Sequence, residues 1–214
     1  MKKLSLEKLP ALFAAIAEKE TLYLPVDTET GAKYTRFCEG MTLSSALNTV
    51  RSAKDFFFPQ TENLVEFKME GKSIDPRTES EDFVVFGVRS CDARSFSILD
   101  KVFLADPVDT YYKNRREHGT IGSMACTRPQ ETCFCGTFDI DATDPEGDVA
   151  SWKTEDAIYF DAKTEKGGAL LAALSDLLSD ADSDAVNAQK EETKKILAKL
   201  PLKDLTTDGF GGDV

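Results

Sequence analysis

Four of the five cysteines fall within 45 residues: Cys91, Cys126, Cys133 and Cys135, with Cys38 apart. Thiolates are soft ligands, and a sulfur-only set of four suits an iron–sulfur cluster or a tetrahedral zinc ion. Cys133-Phe134-Cys135 is a C-x-C pair. In extended backbone its side chains point the same way, with Cα atoms roughly 6–7 Å apart. Two ligands of one polynuclear cluster could span that gap. Structural zinc sites usually show paired C-x2-4-C knuckles. This chain has one C-x-C and no C-x2-C, so its spacing favours a cluster assembled from dispersed loops. Cys38, standing alone, reads as a buried small hydrophobe, as most free cysteines are.

Other chemistries have thinner support. A thiol enzyme using Cys91 as nucleophile at a helix N-terminus, where thiolate pKa falls, needs a base. His118 is the only histidine. It follows Glu117 at a charged helix end and reads as a C-terminal helix cation. No G-x-S-x-G, G-x-G-x-x-G or G-x-x-x-x-G-K-[ST] segment occurs, which removes the usual signatures of Ser hydrolases and nucleotide loops. A structural zinc domain that docks a partner remains the main alternative to a cluster.

The elements that must position the cysteines follow from the pattern. Asp82 to Val88 is the best strand, apolar on both faces as in a buried parallel sheet. Cys91 then sits at a strand-to-helix turn, with Ser90 and Asp92 as caps and Ala93, Phe96, Leu99, Val102 and Phe103 as the apolar stripe. A second helix is predicted over Asp109–His118 and the next strand over Thr120–Ala125, ending at Cys126. Ligands gather at the carboxyl ends of strands in open α/β sheets. Thr127–Gly136 reads as an irregular loop, Asp139–Gly147 as an acidic turn region and Ala157–Ala162 as a strand.

Elsewhere the spacing predicts a helix over residues 4–19, a β-hairpin over Leu22–Phe37 turning at Asp27–Gly31, and a weak helix over Leu43–Ala53. Asp55–Gln60 is a short bulky segment, and Lys68–Ser80 reads as a loop. Helices are predicted over Lys166–Ser179 and Asp184–Leu200. The expected fold is α/β: a central mixed, partly parallel sheet flanked by helices, with an N-terminal β-hairpin. The expected organisation is one domain over 1–205 carrying the four-cysteine site, and a flexible tail over 206–214.

Composition bounds the function. The 214 residues carry 26 Lys+Arg against 38 Asp+Glu, a net charge of −12, which argues against nucleic acid as a partner. The chain is 41% apolar and 30% charged, ordinary for a globular protein. No apolar run reaches the ~20 residues of a membrane helix, and charges interrupt what would be a signal peptide. A cytoplasmic protein without membrane insertion is expected. An odd cysteine count then reads as metal or redox chemistry rather than a disulfide framework. Residues 137–214 hold 18 acids and 8 bases, whereas all eight arginines precede them. Arg89, Arg94, Arg115, Arg116 and Arg128 could surround a site that holds negative charge.

Several segments together resemble a known family. They are Phe58-Pro59-Gln60, Gly87-Val88-Arg89-Ser90-Cys91-Asp92-Ala93-Arg94, Leu99-Asp100-Lys101-Val102-Phe103, Asp109, Tyr111-Tyr112, Arg115-Arg116-Glu117, Cys126, Thr132-Cys133-Phe134-Cys135 and Thr164-Glu165-Lys166-Gly167. Over about residues 55–175 the chain is similar to a family of electron-transfer subunits, which comprises the sulfhydrogenase beta subunit with its counterpart in anaerobic sulfite reductase. The G-V-R-x-C-D and T-C-F-C pieces are the specific ones. The resemblance implies an iron–sulfur protein moving electrons between a soluble donor and a catalytic or flavin-containing oxidoreductase subunit. By position, Cys91, Cys126, Cys133 and Cys135 become ligands of one cluster, expected to be [4Fe–4S]. Activity is expected from the complex, not from this chain alone. Ser90 stands where the family usually has proline, and the segment after Cys135 turns acidic. The ferredoxin-like C-x2-C-x2-C-x3-C-P repeats common in the family do not occur in these residues, so the resemblance implies one cluster here.

Overall fold

The computed structural model describes residues 1–78 and 81–209. In chain order the elements are β1 (Lys2–Ser5), α1 (Leu9–Ala17), β2 (Thr21–Thr28), β3 (Gly31–Arg36), β4 (Val65–Lys68), β5 (Ser73–Pro76), β6 (Phe83–Arg89), α2 (Ser90–Phe103), α3 (Thr110–His118), β7 (Gly119–Met124), β8 (Val149–Lys153), β9 (Ala157–Ala162), α4 (Glu165–Ala173), β10 (Ser179–Asp180) and α5 (Asp184–Leu197).

Eight strands form one mixed sheet in the order β10-β1-β9-β8-β7-β6-β2-β3. The inner run β2, β6, β7 and β8 is parallel. Antiparallel neighbours close it on both sides: β3 on β2, and β9 on β8. The α/β architecture expected from the alternating elements is therefore present, and so is the hairpin, with Thr28 opposite Gly31.

β6 explains how both faces are covered. Val84 and Phe86 join a core with Leu12, Phe13 and Ile16 of α1 and Leu171 of α4. Phe83, Val85 and Val88 join a second core with Ala93 and Phe96 of α2 and Tyr112 of α3. Two consecutive odd positions and then an even one share a face because the ladder to β7 shifts between Phe86 and Val88. Gly87 supplies that bulge at φ +84°, and a Cβ there would stand 3.0 Å from the Pro25 ring. The bulge aims Val88 at α2 and leaves Arg89 leading into the helix that carries Cys91. A third core packs Trp152, Ala150 and Tyr159 against Val186 of α5.

Several expectations need correction. Residues 2–5 are a strand, β1, held between β9 and β10, and α1 starts only at Leu9, with Pro10 in its first turn. Their apolar spacing resembles a helix because Leu4 and Leu9 point into the same core from different elements. Leu43–Ala53 is irregular; only Ala53–Phe56 forms a 3-10 turn, capped by Ser52. β4 and β5 form a separate hairpin where Lys68–Ser80 was expected to be a loop. Every strand residue but Asp75 is exposed there, and its apolar residues, Val65 and Phe67 opposite Pro76 and Ile74, are split between two four-residue strands; residues 79 and 80 lie outside the described residues. The helix from Lys166 ends at Ala173, and Ser179–Asp180 pairs instead with Lys2 and Lys3. β8 was not foreseen. Of the tail expected over 206–214, residues 206–209 form no helix or strand, and 210–214 lie outside the described residues.

Candidate functional site

All five cysteines are free. Cys91 is in the first turn of α2, directly beyond the carboxyl end of β6. Cys126 lies two residues beyond β7, is 8% exposed and donates its N–H to Ala142 O at 2.8 Å. Because β6 and β7 run parallel, both residues lie at the same end of the sheet. The Ser90 hydroxyl also donates to Ala142 O, at 3.2 Å. One carbonyl of the 139–147 segment thus bridges the two strand ends. That segment is itself anchored where the buried Trp152 Nε1 donates to Thr143 O at 2.7 Å.

Cys133 and Cys135 are half-buried in the loop that follows. Gln130 N–H donates to the Cys133 sulfur at 3.3 Å, and Cys133 N–H returns to Gln130 O at 2.9 Å. Cys135 opens a 3-10 turn that ends at Phe138, with Asp139 in the left-handed region at φ 53°. Thr137 Oγ1 donates to Leu205 O, tying the loop to the segment beyond α5. Phe134 and Phe138 are exposed, their ring centroids 5.9 Å apart.

The four thiols feel one another. Burial pushes Cys126 up to about 11; Arg89 opposes this, while Cys91, Cys135 and Cys133 add to it. Burial likewise raises Cys135, with Cys91 and Cys133 adding to it against its own backbone N–H. For Cys91, burial and then the Asp92 carboxylate raise the thiol, the N–H groups of Asp92 and Cys91 work against them, and Cys133 raises it further. All six pairs among the four thiols are therefore in electrostatic reach. Among the described residues, no three His, Cys, Asp or Glu side chains converge closely enough to hold a single metal ion.

Cys38 is exposed, not buried as expected, with its thiol toward Arg36 O at 3.9 Å. It lies just past β3, whose loop faces solvent. The caps expected at Ser90 and Asp92 are absent: Arg89 is the N-cap residue, with no side-chain bond. Asp92 instead accepts from Ser52 Oγ at 2.8 Å and Lys54 Nζ at 3.0 Å, fixing the segment beside Cys91.

The arginines divide. Arg89 donates Nε to Leu47 O at 3.1 Å and Nη2 to Ala46 O at 2.6 Å, and its charge reaches Cys126. Arg94 pairs with Glu146 at 2.7 Å. Arg115 pairs with Glu62, and Arg116 grips Asp100 at 2.9 and 3.0 Å, within the helix layer rather than around the thiols. Sequence reasoning missed the roles of Ser52 and Ala142, since a hydroxyl and a carbonyl carry no pattern.

The thiol-enzyme alternative loses its footing. His118 closes α3 and meets Asp82 at 2.8 Å, just before β6 begins. Cys91 lies past the other end of that seven-residue strand, on the order of 20 Å away. The Cys91 thiol is raised, the reverse of an activated nucleophile.

Among the described residues no helix is long and apolar enough to cross a membrane. No family model matches the chain, and no solved structure matches it. The chain is 29% identical over 210 residues to sulfhydrogenase 2 subunit beta of Pyrococcus furiosus, an alignment covering 97% of this chain. The chain spans 61% of that relative's length. The GVRSCDAR turn, the strand-end Cys126 and the TCFC loop lie inside the aligned stretch, and the similarity supports the sulfhydrogenase beta-subunit family for this chain.

Proposed function

We propose that this chain is the iron–sulfur electron-transfer subunit of an oxidoreductase of hydrogenase or sulfite reductase type. Cys91, Cys126, Cys133 and Cys135 hold one cluster, of the [4Fe–4S] type, and a catalytic or flavin-containing subunit exchanges electrons with it. The observation that carries this reading is the placement of Cys91 and Cys126 just past the carboxyl ends of the parallel neighbours β6 and β7, with Cys133 and Cys135 in the loop that follows. The similarity to a subunit named for sulfhydrogenase adds independent support.

A cluster supplies one-electron chemistry at a potential set by its ligands, sulfur hydrogen bonds and burial. The chain's own residues do the rest. The β6 bulge and the Ala142 carbonyl hold Cys91 and Cys126 in place. Arg89 sets positive charge beside Cys126, which lowers the cost of gathering thiolates in a half-buried site. Phe134 and Phe138 give the loop an apolar rim on which a partner can exclude water. The free cysteines suit a reducing, cytoplasmic setting.

The test is the visible spectrum of protein purified without oxygen, before and after a low-potential reductant. Broad sulfur-to-iron absorbance that bleaches on reduction supports the proposal. A colourless protein that retains stoichiometric zinc contradicts it and favours a structural zinc domain.

A further inference from the structure

A cavity of about 570 Å³ opens at the carboxyl ends of β6, β7 and β8. Its wall runs through Ala125 and Thr127, the two neighbours of Cys126. Two features give it a chemistry. Leu43, Leu47 and Met124 form an apolar stretch. Arg89, Arg128 and Lys153 bring three positive charges against one acid, Glu155, in a chain whose net charge is −12.

The cations are not equally occupied. Arg89 is committed to the carbonyls of Ala46 and Leu47, which holds the apolar stretch of that loop over the strand ends. Arg128 and Lys153 make no ion pair or side-chain hydrogen bond among the described residues; Arg128 is exposed and Lys153 half-buried. Two cations lining one cavity beside an apolar wall give it a positive character in an otherwise acidic protein. The volume lies in the range of small-molecule sites and is far larger than a lone oxyanion needs. Parallel α/β sheets gather ligands at this end.

We propose that this cavity binds a phosphate ester of mononucleotide size. The phosphate meets Arg128 and Lys153, and a planar ring lies against Leu43, Leu47 and Met124. The cavity takes its wall from both chain neighbours of Cys126, while Cys126 itself is not among its lining residues. Binding itself does not depend on the cluster reading, and it is testable on metal-free chain.

The experiment is titration calorimetry of the full, reduced, metal-free chain. The probes are flavin mononucleotide, nicotinamide mononucleotide, adenosine monophosphate and inorganic phosphate. One of the three mononucleotides is expected to bind once per chain and more tightly than phosphate. Arg128→Met and Lys153→Met should each weaken it about tenfold, the loss of one charge-assisted hydrogen bond. Glu155→Gln should tighten it about threefold by removing the one opposing charge, a gain that misfolding cannot mimic. Unchanged affinity in the two cation variants overturns the proposal. So does phosphate binding as tightly as every mononucleotide, or no mononucleotide binding at about 1 mM. Loss of iron binding in the cysteine variants leaves these outcomes untouched, so the two readings fail separately.

Discussion

The two halves of the thiol site are held by different means. Cys91 and Cys126 follow parallel strands that are buried on both faces, and a single carbonyl, Ala142 O, joins their supports. Cys133 and Cys135 sit in a loop whose bonds at the cysteines are local, between Gln130 and Cys133 and from Ile140 N–H to Cys135 O, with one hydroxyl bond from Thr137 reaching out to Leu205 O. The sheet thus positions two of the four proposed ligands, and the loop carries the other two. Stability and the proposed ligand capture should separate accordingly: damage at the strand ends should destabilise the protein more, and damage in the loop should cost mainly the proposed bound group.

The largest effect is expected at the β6 bulge. Gly87→Ala forces a side chain into positive φ and against Pro25, and should destabilise by about 2–3 kcal/mol in chemical denaturation. A loss under about 0.5 kcal/mol would mean that the bulge is not what aims α2.

Away from the thiols, Asp100 should matter nearly as much. Burial pushes its carboxyl up, but bonds from Arg116 and Tyr112 and the Arg116 charge outweigh that and hold it below its ordinary 3.8. A depressed folded value means the stabilisation is full above the ordinary value and is lost as pH falls through the folded one. Asp100→Asn should cost on the order of 2 kcal/mol at neutral pH. It should also flatten the stability–pH curve below the ordinary carboxylate range, and a curve unchanged in slope there would contradict the assignment.

Ser90→Ala comes next. It removes the hydroxyl bond to Ala142 O and should cost about 1 kcal/mol, while Ser90→Thr, which keeps the hydroxyl, should recover part of it. Smallest of all, Thr137→Val should shift global stability by less than about 0.5 kcal/mol. It should nevertheless speed amide exchange across residues 130–138 and accelerate loss of the bound group. Equal effects of the Ser90 and Thr137 variants on unfolding would erase the distinction between the halves.

Much of this was legible in the sequence, for reasons that mark its limits. β6 announces itself because burial on both faces leaves an uninterrupted apolar run. α3 does so because Asp109 caps it by accepting from Tyr111 and Tyr112 N–H. The four cysteines stand out by number and spacing alone. β1 was hidden because its Leu4 mimics helical spacing with α1, and β4–β5 because each four-residue strand offers only two alternating apolar positions. The segment Leu43–Ala53 looked weakly helical, but its Ala46 and Leu47 carbonyls serve Arg89, pairings 43 and 42 positions apart that no local pattern encodes. Cys38 was read by residue type, and type alone does not report that its loop faces solvent.

The most direct test of the central claim is iron and acid-labile sulfide per chain after anaerobic reconstitution, measured on the parent protein and five single variants. The account predicts that Cys91→Ser, Cys126→Ser, Cys133→Ser and Cys135→Ser each lose most of the iron and sulfide, whereas Cys38→Ser keeps the parent content. Full iron in the four variants, or its loss in Cys38→Ser alone, would contradict a cluster held between the strand ends and the loop.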